Sequence, residues 1–477
     1  IAASSIYYTH DDAENNRRKY DIKHGTDDAK NFAGIFCSRL LRRGSGGLLR
    51  TCTWSLWIVI HLTSFTRAYS WYCFQYSTGG GKGQESRGEP LRFRPKYGKV
   101  TAVESYRAEV HTYMKVLQWC RANAMPVIAV LAAAVTAVFV PPDSAYLGYY
   151  DVKTLSCLFC ILAVVCALRS VGLFPVIARQ LLQLFGTARS VGTALVLITL
   201  VGSMLLTNDT ALLTFLPLSW MVLQEAGQEK LTAYVFILQN CAANLGGMLT
   251  PFGNPQNLYL FDHYHIPVGQ FLSIMLLPFA LSTGLILLCC LLIPRQVLAV
   301  PQRELTLDKP RAIAYGLLFC LAVGMVLRAV PYPVGLAVIA AALAVMDPRA
   351  LKSVDWGLLV TFAAFFVFSG NMARIQPVRE LFGRLLAHGV LPVSALTCQV
   401  ISNVPAAILL SQFTVRFREL LIGVNIGGAG TLIASLASLI TFREYTRRCP
   451  EQTGRFLGLF TLVSFGFLAI LLAALSL

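Results

Sequence analysis

Long apolar tracts follow one another with short polar breaks from residue 124 to residue 477. They lie at roughly 124–141, 155–175, 190–224, 231–250, 267–293, 312–329, 333–346, 355–372, 391–413, 419–441 and 456–477. A helix needs about 20 predominantly apolar residues to cross the hydrocarbon core of a bilayer. The pattern therefore predicts an all-α polytopic membrane protein with about ten to eleven membrane segments.

Two of these tracts are interrupted by polar residues at their midpoints. The tract 190–224 contains Thr-Asn-Asp at 207–209, and the tract 391–413 contains Ser-Asn-Val at 402–404. Polar and ionisable side chains are costly inside a bilayer, and those that occur there usually face a pathway or a polar partner. We interpret both tracts as re-entrant hairpins whose tips carry the polar residues.

Each interrupted tract is followed by a motif in which Asn, a Gly pair and Thr recur at the same spacing. The first copy is NLGGMLTPFGNPQN at 244–257, and the second is NIGGAGTLIASLAS at 425–438. Asp151 and Asp355 precede the two halves, and an odd number of predicted crossings separates them. The halves are therefore predicted to be repeats of inverted topology, which are typical of secondary transporters. Repeat one covers about 151–293, linker helices cover 312–346, and repeat two covers about 355–477.

Composition agrees with a membrane protein and argues against a nucleic-acid partner. The chain is 56% hydrophobic and 13% charged, with a mean hydropathy of +0.61, whereas soluble domains carry about 25% charged residues. The net charge of +16 arises from Lys and Arg in short polar segments such as 294–311 and 442–455. Cytoplasmic loops carry such charges. We expect an integral protein of the plasma (inner) membrane, with the lipid bilayer as its surroundings.

The first 113 residues differ from the rest of the chain. They are polar and basic, and their single apolar run at 54–65 is too short for a comfortable crossing. Met114 begins a stretch with a few cations followed by an apolar helix, as at a natural membrane-protein start. We interpret residues 1–113 as a poorly ordered or non-native extension and residues 114–477 as the transporter domain.

The paired motifs carry the residue types of an ion site. Glycine and proline around Asn interrupt a membrane helix and free backbone carbonyls and amides, which is tolerated only inside protein or beside a wet cavity. Freed carbonyls with Asn, Ser and Thr oxygens suit a cation such as sodium, and helix N-termini can face an anion. The candidate substrate- or ion-binding residues are Thr207, Asn208, Asp209, Asn244, Gly247, Thr250, Gly253, Asn254, Ser402, Asn403, Asn425, Gly428 and Thr431, with Asn208, Asp209 and Asn403 as candidate sodium ligands.

Each of these residues has a structural alternative. Asn208 and Asn403 could cap half-helices, the glycines could serve close helix packing, and the threonines could bond to their own helix. Asp209 could cap the second arm of its hairpin. Our hypothesis is that Asp209 binds a cation or carries a proton, so that protonation and cation binding compete for one carboxylate.

The segments LTNDTALLTFLPL, NLGGMLTPFGNPQN, SNVPAAILLS and GVNIGGAGTLIASLASLI together resemble the ion transporter superfamily. Its members include citrate and other divalent-anion transporters, arsenite permeases and sodium–proton antiporters. The resemblance implies a scaffold that holds a transport domain, hairpin tips that carry the Asn motifs, elevator-type movement and commonly a homodimer. Sodium–dicarboxylate members have Ser-Asn-Thr at the tips, and this chain departs from that motif at Asp209 and Val404.

These features predict a secondary active transporter of a small inorganic or organic anion, citrate- or dicarboxylate-like. Sodium or a proton is the expected coupling ion, and no other cofactor is expected. An arsenite-type permease and a sodium–proton antiporter remain alternatives, and a channel is a distant one because broken helices also build filters. An enzyme would need a convergent set of acid, base or metal groups, and outside the hairpin the carboxylates lie mostly at tract ends.

Overall fold

Helices make up the chain wherever its structure is described. The computed structural model describes Cys120 and residues 123–297 and 307–476, and within them it contains α-helices, short 3-10 helices and no strand. These residues belong to the compact unit Lys99–Leu477. The predicted extension, 1–113, lies outside the described residues.

The described residues contain eighteen α-helices. They are α1 (Ala124–Phe139), α2 (Val152–Ser170), α3 (Leu173–Leu182), α4 (Ala188–Leu205), α5 (Asn208–Glu225), α6 (Thr232–Gly246), α7 (Pro255–His263), α8 (Val268–Cys290), α9 (Lys309–Val326), α10 (Tyr332–Met346), α11 (Pro348–Lys352), α12 (Trp356–Arg374), α13 (Gln376–Ala387), α14 (Val390–Ile401), α15 (Asn403–Leu410), α16 (Phe417–Ile426), α17 (Leu436–Arg448) and α18 (Thr453–Leu475).

Six helical segments in this part of the chain are long and apolar enough to cross a membrane. They are α2, α4, α8, α9, α12 and the segment Pro450–Leu475, which contains α18. Shorter apolar helices are α1, α3, α10 and α14. Many large apolar side chains remain exposed on these helices, for example Leu462 at 73% and Val138 at 78%. Such outward apolar surface is expected where lipid, and not water, surrounds the helices.

The acidic residues that precede the two halves have the same local role. The side chain of Asp151 accepts a hydrogen bond from the amide of Thr154 and caps α2, and Asp355 accepts one from Leu358 and caps α12. Both carboxylates bond a backbone amide that has no partner within its helix. The two helices therefore begin in equivalent ways.

Ion pairs and hydrogen bonds identify two opposite ends of the helix bundle. The Asp151 end also contains Asp262, which pairs with both Lys153 and Arg328. The Asp355 end is reached by the far end of α2, where the Ser170 hydroxyl donates to a carboxylate oxygen of Asp347 at 3.1 Å. These two names, the Asp151 end and the Asp355 end, are used below.

The interrupted tract 190–224 forms α4 and α5, which meet at Leu206 and Thr207. Helix α4 begins beside the last turn of α8, where the Arg189 guanidinium donates to the carbonyl of Ile293 at 2.7 Å. Helix α5 ends at Glu225, which faces Arg179 of α3 at 3.9 Å. Both outer termini of this pair lie at the Asp355 end, and the junction lies in the interior.

The interrupted tract 391–413 forms α14 and α15, which meet at Ser402. Beyond α15, the Ser411 hydroxyl hydrogen-bonds with the Tyr259 hydroxyl of α7 at 2.8 Å, and the Tyr264 hydroxyl donates to the Thr414 carbonyl at 2.7 Å. Tyr259 and Tyr264 flank Asp262 in sequence. This pair therefore leaves the interior at the Asp151 end.

Two further helices are broken near their middles. Helix α6 begins near the end of α8, where the Tyr234 hydroxyl donates to the Cys289 carbonyl at 2.8 Å, and its continuation α7 ends beside Asp262. Helix α16 begins against Tyr264, and its continuation α17 ends with Arg448 over the Trp220 ring of α5. The two broken helices run between the ends of the bundle in opposite senses.

Candidate functional site

The two hairpin tips share an unusual backbone conformation. Thr207 has a φ of 121° and Ser402 a φ of 75°, a region that non-glycine residues seldom adopt and that costs on the order of 1–3 kcal/mol. Both residues are buried. The surrounding structure must hold this strain, and strain of this kind is concentrated at functional sites.

The asparagine that follows each strained residue has one geometry in both tips. The Oδ1 atom of Asn208 accepts the amide of Asp209 at 2.9 Å, and the Oδ1 atom of Asn403 accepts the amide of Val404 at 2.9 Å. Each asparagine thus bonds one free amide of the helix that begins with it. This bond uses one of the two lone pairs of the Asn208 oxygen, so its capping role leaves capacity for a ligand. The Oδ1 atom of Asn403 also accepts the Ser402 hydroxyl at 3.3 Å.

The first break lies between α6 and α7, and the side chain of Asn257 bonds its exposed backbone. The Asn257 amide donates to the carbonyls of Gly247, Met248 and Thr250 at 3.4, 3.1 and 3.2 Å. A Cβ atom on Gly253 would collide with the Gly247 carbonyl oxygen. Glycine is therefore needed at position 253 because two stretches of backbone approach each other closely.

One hydrogen bond connects the first break to the first hairpin. The Thr250 hydroxyl donates to the carbonyl of Met204 in α4 at 2.7 Å. Thr250 thus bonds to a neighbouring helix and not to its own. The equivalent residue of the second half, Thr431, donates in the same way to the carbonyl of Gln399 in α14 at 3.1 Å.

The second break lies between α16 and α17, and a side chain of the second hairpin bonds its exposed backbone. The Gln399 amide nitrogen donates to the carbonyls of Gly427 and Ala429 at 2.8 and 3.1 Å. Its amide oxygen accepts the backbone N–H of Thr431 at 2.8 Å. The sequence analysis did not single out Gln399, whose only signal is its position three residues before the hairpin tip.

The two breaks meet through a cluster of amide side chains. The Oδ1 atom of Asn425 in α16 accepts hydrogen bonds from Asn254 at 3.3 Å and Gln256 at 3.4 Å. The Nδ2 atom of Asn425 donates to Asn257 at 2.6 Å. All four residues are at most 1% exposed. Helix α7 and helix α16 are therefore joined where each adjoins its break.

A second set of side chains joins the other two halves of the broken helices. Asn240 of α6 donates to the Ser438 hydroxyl of α17 at 3.3 Å, and its Oδ1 atom accepts the Thr441 hydroxyl at 3.3 Å. Asn240 lies one helical turn before Asn244, whose Nδ2 atom donates to the Asn240 carbonyl. The broken helices thus cross at their breaks, and we call this region the crossing.

Gly428 lies between the asparagines of the two halves. The Nδ2 atom of Asn208 donates to the Oδ1 atom of Asn244 at 3.3 Å. A Cβ atom on Gly428 would lie 3.4 Å from that same Oδ1 atom and 3.3 Å from the Nδ2 atom of Asn403. The structure therefore brings both hairpin tips to the crossing.

The sequence-predicted residues fall into two groups around this point. From the first half the structure assembles Thr207, Asn208, Asn244, Gly247, Thr250, Gly253 and Asn254, and from the second half Ser402, Asn403, Asn425, Gly428 and Thr431, while Asp209 lies one residue inside α5. Polar contributors that the sequence analysis left out are Asn240, Gln256, Asn257, Gln399 and Ser438. Gln256, Asn257 and Ser438 stand inside the repeated motifs, and Asn240 shares a helix face with Asn244, so their positions offered a signal.

Two side-chain oxygens at the crossing, Oδ1 of Asn254 and Oε1 of Gln256, are buried without a hydrogen-bond donor among the described residues. Oδ1 of Asp209, next to the first tip, is a third such oxygen. A buried acceptor with no partner costs about 1–3 kcal/mol. Oxygens of this kind are the ligands that hard cations prefer, so the crossing has the chemistry to hold one.

The region that carries this geometry also matches a known family. A family model described as citrate transporter matches residues 115–417, which include both hairpin tips and the first broken helix. The chain belongs to the citrate transporter family. The resemblance to the ion transporter superfamily is therefore confirmed, and the chain is a multi-pass integral membrane transporter.

Individual relatives support this family assignment. An uncharacterized transporter of Methanocaldococcus jannaschii is 32% identical over 326 residues, which are 67% of this chain and 88% of that protein. The inner membrane protein YbiR of Escherichia coli is 32% identical over 280 residues, 57% of this chain and 74% of its own length. The silicon efflux transporter LSI3 of Oryza sativa subsp. japonica is 33% identical over 147 residues, 30% of each chain.

The tip asparagines should be required for transport and not for folding. Asn208→Ala and Asn403→Ala each remove a side chain that contributes about 1 kcal/mol through its backbone hydrogen bond, so membrane expression should stay near that of the wild type while uptake is lost. Asn371→Ala is a matched control, because Asn371 is equally buried but bonds Thr136 and Tyr146 at the α1–α12 contact. Uptake by proteoliposomes is the measurement, and full uptake by both tip variants would contradict the prediction.

The close backbone approach at Gly253 should make it intolerant of a side chain. Gly253→Leu must separate the two stretches of the first break, whereas Gly316→Leu fills open space on α9, where a Cβ atom meets nothing within 4 Å. We expect at least a tenfold larger loss of uptake from the first change, because a displacement of about 1 Å at a positioning contact can cost on the order of 100-fold. Similar uptake by the two variants would show that the first break lies outside the transport site.

Proposed function

We propose that this chain is a secondary active transporter of a small anion, citrate- or dicarboxylate-like, coupled to sodium or protons. The observation that carries the proposal is the crossing itself, where two broken helices and two hairpin tips converge on buried asparagines from both halves. Irregular backbone at membrane depth is tolerated only where protein or a wet cavity surrounds it. Transporters place their substrate and ion sites at such breaks.

The arrangement of the two halves supports alternating access. The α4–α5 pair leaves the interior at the Asp355 end and the α14–α15 pair at the Asp151 end, and the broken helices run in opposite senses. We assign these elements to two repeats of inverted topology, as the sequence predicts. Such repeats can exchange roles so that one central site opens to either side in turn.

The helix termini at the crossing supply complementary electrostatics. Helices α5, α7, α15 and α17 begin there, while α4, α6, α14 and α16 end there. Helix N-termini carry partial positive charge and C-termini partial negative charge, each equivalent to about half an elementary charge. The N-termini suit an anion and the C-termini suit a cation, which together favour coupled transport of both.

The coupling ion is assigned to the first hairpin. Asp209 supplies the carboxylate at this point, and its Oδ1 atom is one of the buried oxygens without a donor. Oδ1 of Asn208 keeps a lone pair free beyond its backbone bond, and Oδ1 of Asn403 shares its second lone pair with the Ser402 hydroxyl at 3.3 Å. A bound sodium ion or proton would neutralise the Asp209 carboxylate, whereas an unpaired carboxylate in the same surroundings is costly.

We extend the proposal to movement and assembly. The two hairpins and the two broken helices form the transport domain, because side-chain bonds at the crossing join all four. The remaining long helices form a scaffold, and the transport domain moves against it as an elevator in a homodimer in the plasma (inner) membrane. We assign no enzymatic activity to the chain.

One feature favours a second candidate substrate. Asp209 stands at the N-terminus of α5, so its charge opposes a dianion bound at that helix end. A weakly charged oxyanion or an uncharged oxyacid would be repelled less by the Asp209 carboxylate. An arsenite-type permease is therefore the alternative, and one relative of the chain is named a silicon efflux transporter.

A ligand screen followed by counterflow tests the proposal. Purified protein is heated with citrate, succinate, arsenite or silicic acid, each with and without sodium, since a ligand present at 100 times its Kd stabilises by about 2.7 kcal/mol. The selected ligand is then loaded unlabelled into proteoliposomes. Transient accumulation of labelled ligand from outside indicates a carrier, whereas simple equilibration would indicate a channel and overturn the proposal.

Asp209→Asn should uncouple transport from the ion gradient. The neutral amide preserves the shape and one acceptor oxygen while removing the charge, so folding and substrate binding should persist. Uptake is measured across a pH series at fixed sodium and then across a sodium series at fixed pH. The wild type should respond at least tenfold to one of the two ions and the variant less than twofold. Retention of both wild-type dependences would make Asp209 a structural residue.

A further inference from the structure

Gln399 bonds several backbone groups of the second break. Its side chain has hydrogen bonds with the backbone of Gly427, Ala429 and Thr431, and its own carbonyl accepts the Thr431 hydroxyl. A Cβ atom on Gly430, whose φ is 127°, would collide with the Gln399 amide. The backbone of the second break is therefore bonded to, and packed closely against, one side chain of the neighbouring hairpin.

In the first half, a different side chain bonds the free carbonyls of the break. The residue that corresponds to Gln399 is Met204, which offers only its backbone carbonyl to Thr250. There the free carbonyls of the break are bonded by Asn257, which belongs to the same broken helix. The first hairpin thus has one hydrogen bond to the residues between α6 and α7. The second hairpin has six to the residues between α16 and α17, four through Gln399 and two from Ser402 and Asn403 to the Ala434 carbonyl.

We propose that Gln399 is the positioning residue of the second half of the site, a role that rests on the transport function proposed above. The segment that Gln399 bonds, 427–431, contains Gly428, which lies against Asn403 of the second tip and Asn244 of the first half. Gln399 therefore positions the 427–431 side of the break against the second tip, while the Ala434 carbonyl on the other side accepts the Asn403 amide directly at 2.9 Å. The second hairpin and the second break move as one body, whereas the first hairpin keeps more freedom to adjust around a ligand.

Gln399→Met tests this role because it gives the second half the residue type that the first half has. In hydrogen–deuterium exchange of the full-length protein, the Thr431 amide should exchange about tenfold faster, which corresponds to about 1.4 kcal/mol, while the first break, 247–254, keeps its wild-type rate. The KM for the anion and the half-saturating coupling-ion concentration should each rise about tenfold, with a smaller change in the maximal rate. Gln412→Met is the matched control, because Gln412 has only a 3.5 Å contact with the Tyr259 hydroxyl.

Gly430→Ala provides a second variant if Gln399→Met fails to fold. This variant retains the side-chain amide of Gln399, but the added Cβ atom forces that amide away from the break. We expect the same direction of change in hydrogen exchange, KM and ion affinity. Unchanged exchange at Thr431, or faster exchange with wild-type KM and ion affinity, would overturn the positioning role. Because exchange is measured without transport, its result stands even if no anion is carried, and the two proposals fail separately.

Discussion

Backbone amides and carbonyls that leave a helix inside a bilayer find no water to bond, so the protein must provide their partners. This chain breaks two helices in its interior and therefore frees several such groups at once. Asn257 bonds the free carbonyls of the first break, and Gln399 bonds those of the second. These two side chains support the convergence of both hairpin tips on the crossing, because they bond backbone groups that lipid would leave without partners.

Neutral amides suit this task better than charged groups. An Asn or Gln side chain both donates and accepts hydrogen bonds, so it can bond a carbonyl and an amide without the cost of burying an ion. Among the described residues, the crossing accordingly contains amides and hydroxyls, and the carboxylate of Asp209 follows Asn208 of the first tip. In the proposed function, that carboxylate is the group whose charge state responds to a bound cation or proton.

The two hairpin tips have the same local geometry but differ in what their halves contribute. Their tips have the same strained backbone and the same asparagine geometry. The first half adds the charge of Asp209, where the second has Val404. The second half adds the brace of Gln399, where the first has Met204. In the proposed function these properties are complementary, because the first tip responds to the ion while the hydrogen bonds of the second tip hold the shape of the site.

The sequence by itself determined the helical membrane class, the positions of both interruptions and the repeated Asn and Gly motifs, because apolar tracts, Gly and Pro act locally along the chain. Only the tertiary structure decided which side chain meets which free carbonyl. Asn425 bonds Asn254 and Asn257 across about 170 residues, and Gln399 bonds the second break from a different helix. No local pattern encodes such pairings, because they depend on the angle and register at which two broken helices cross.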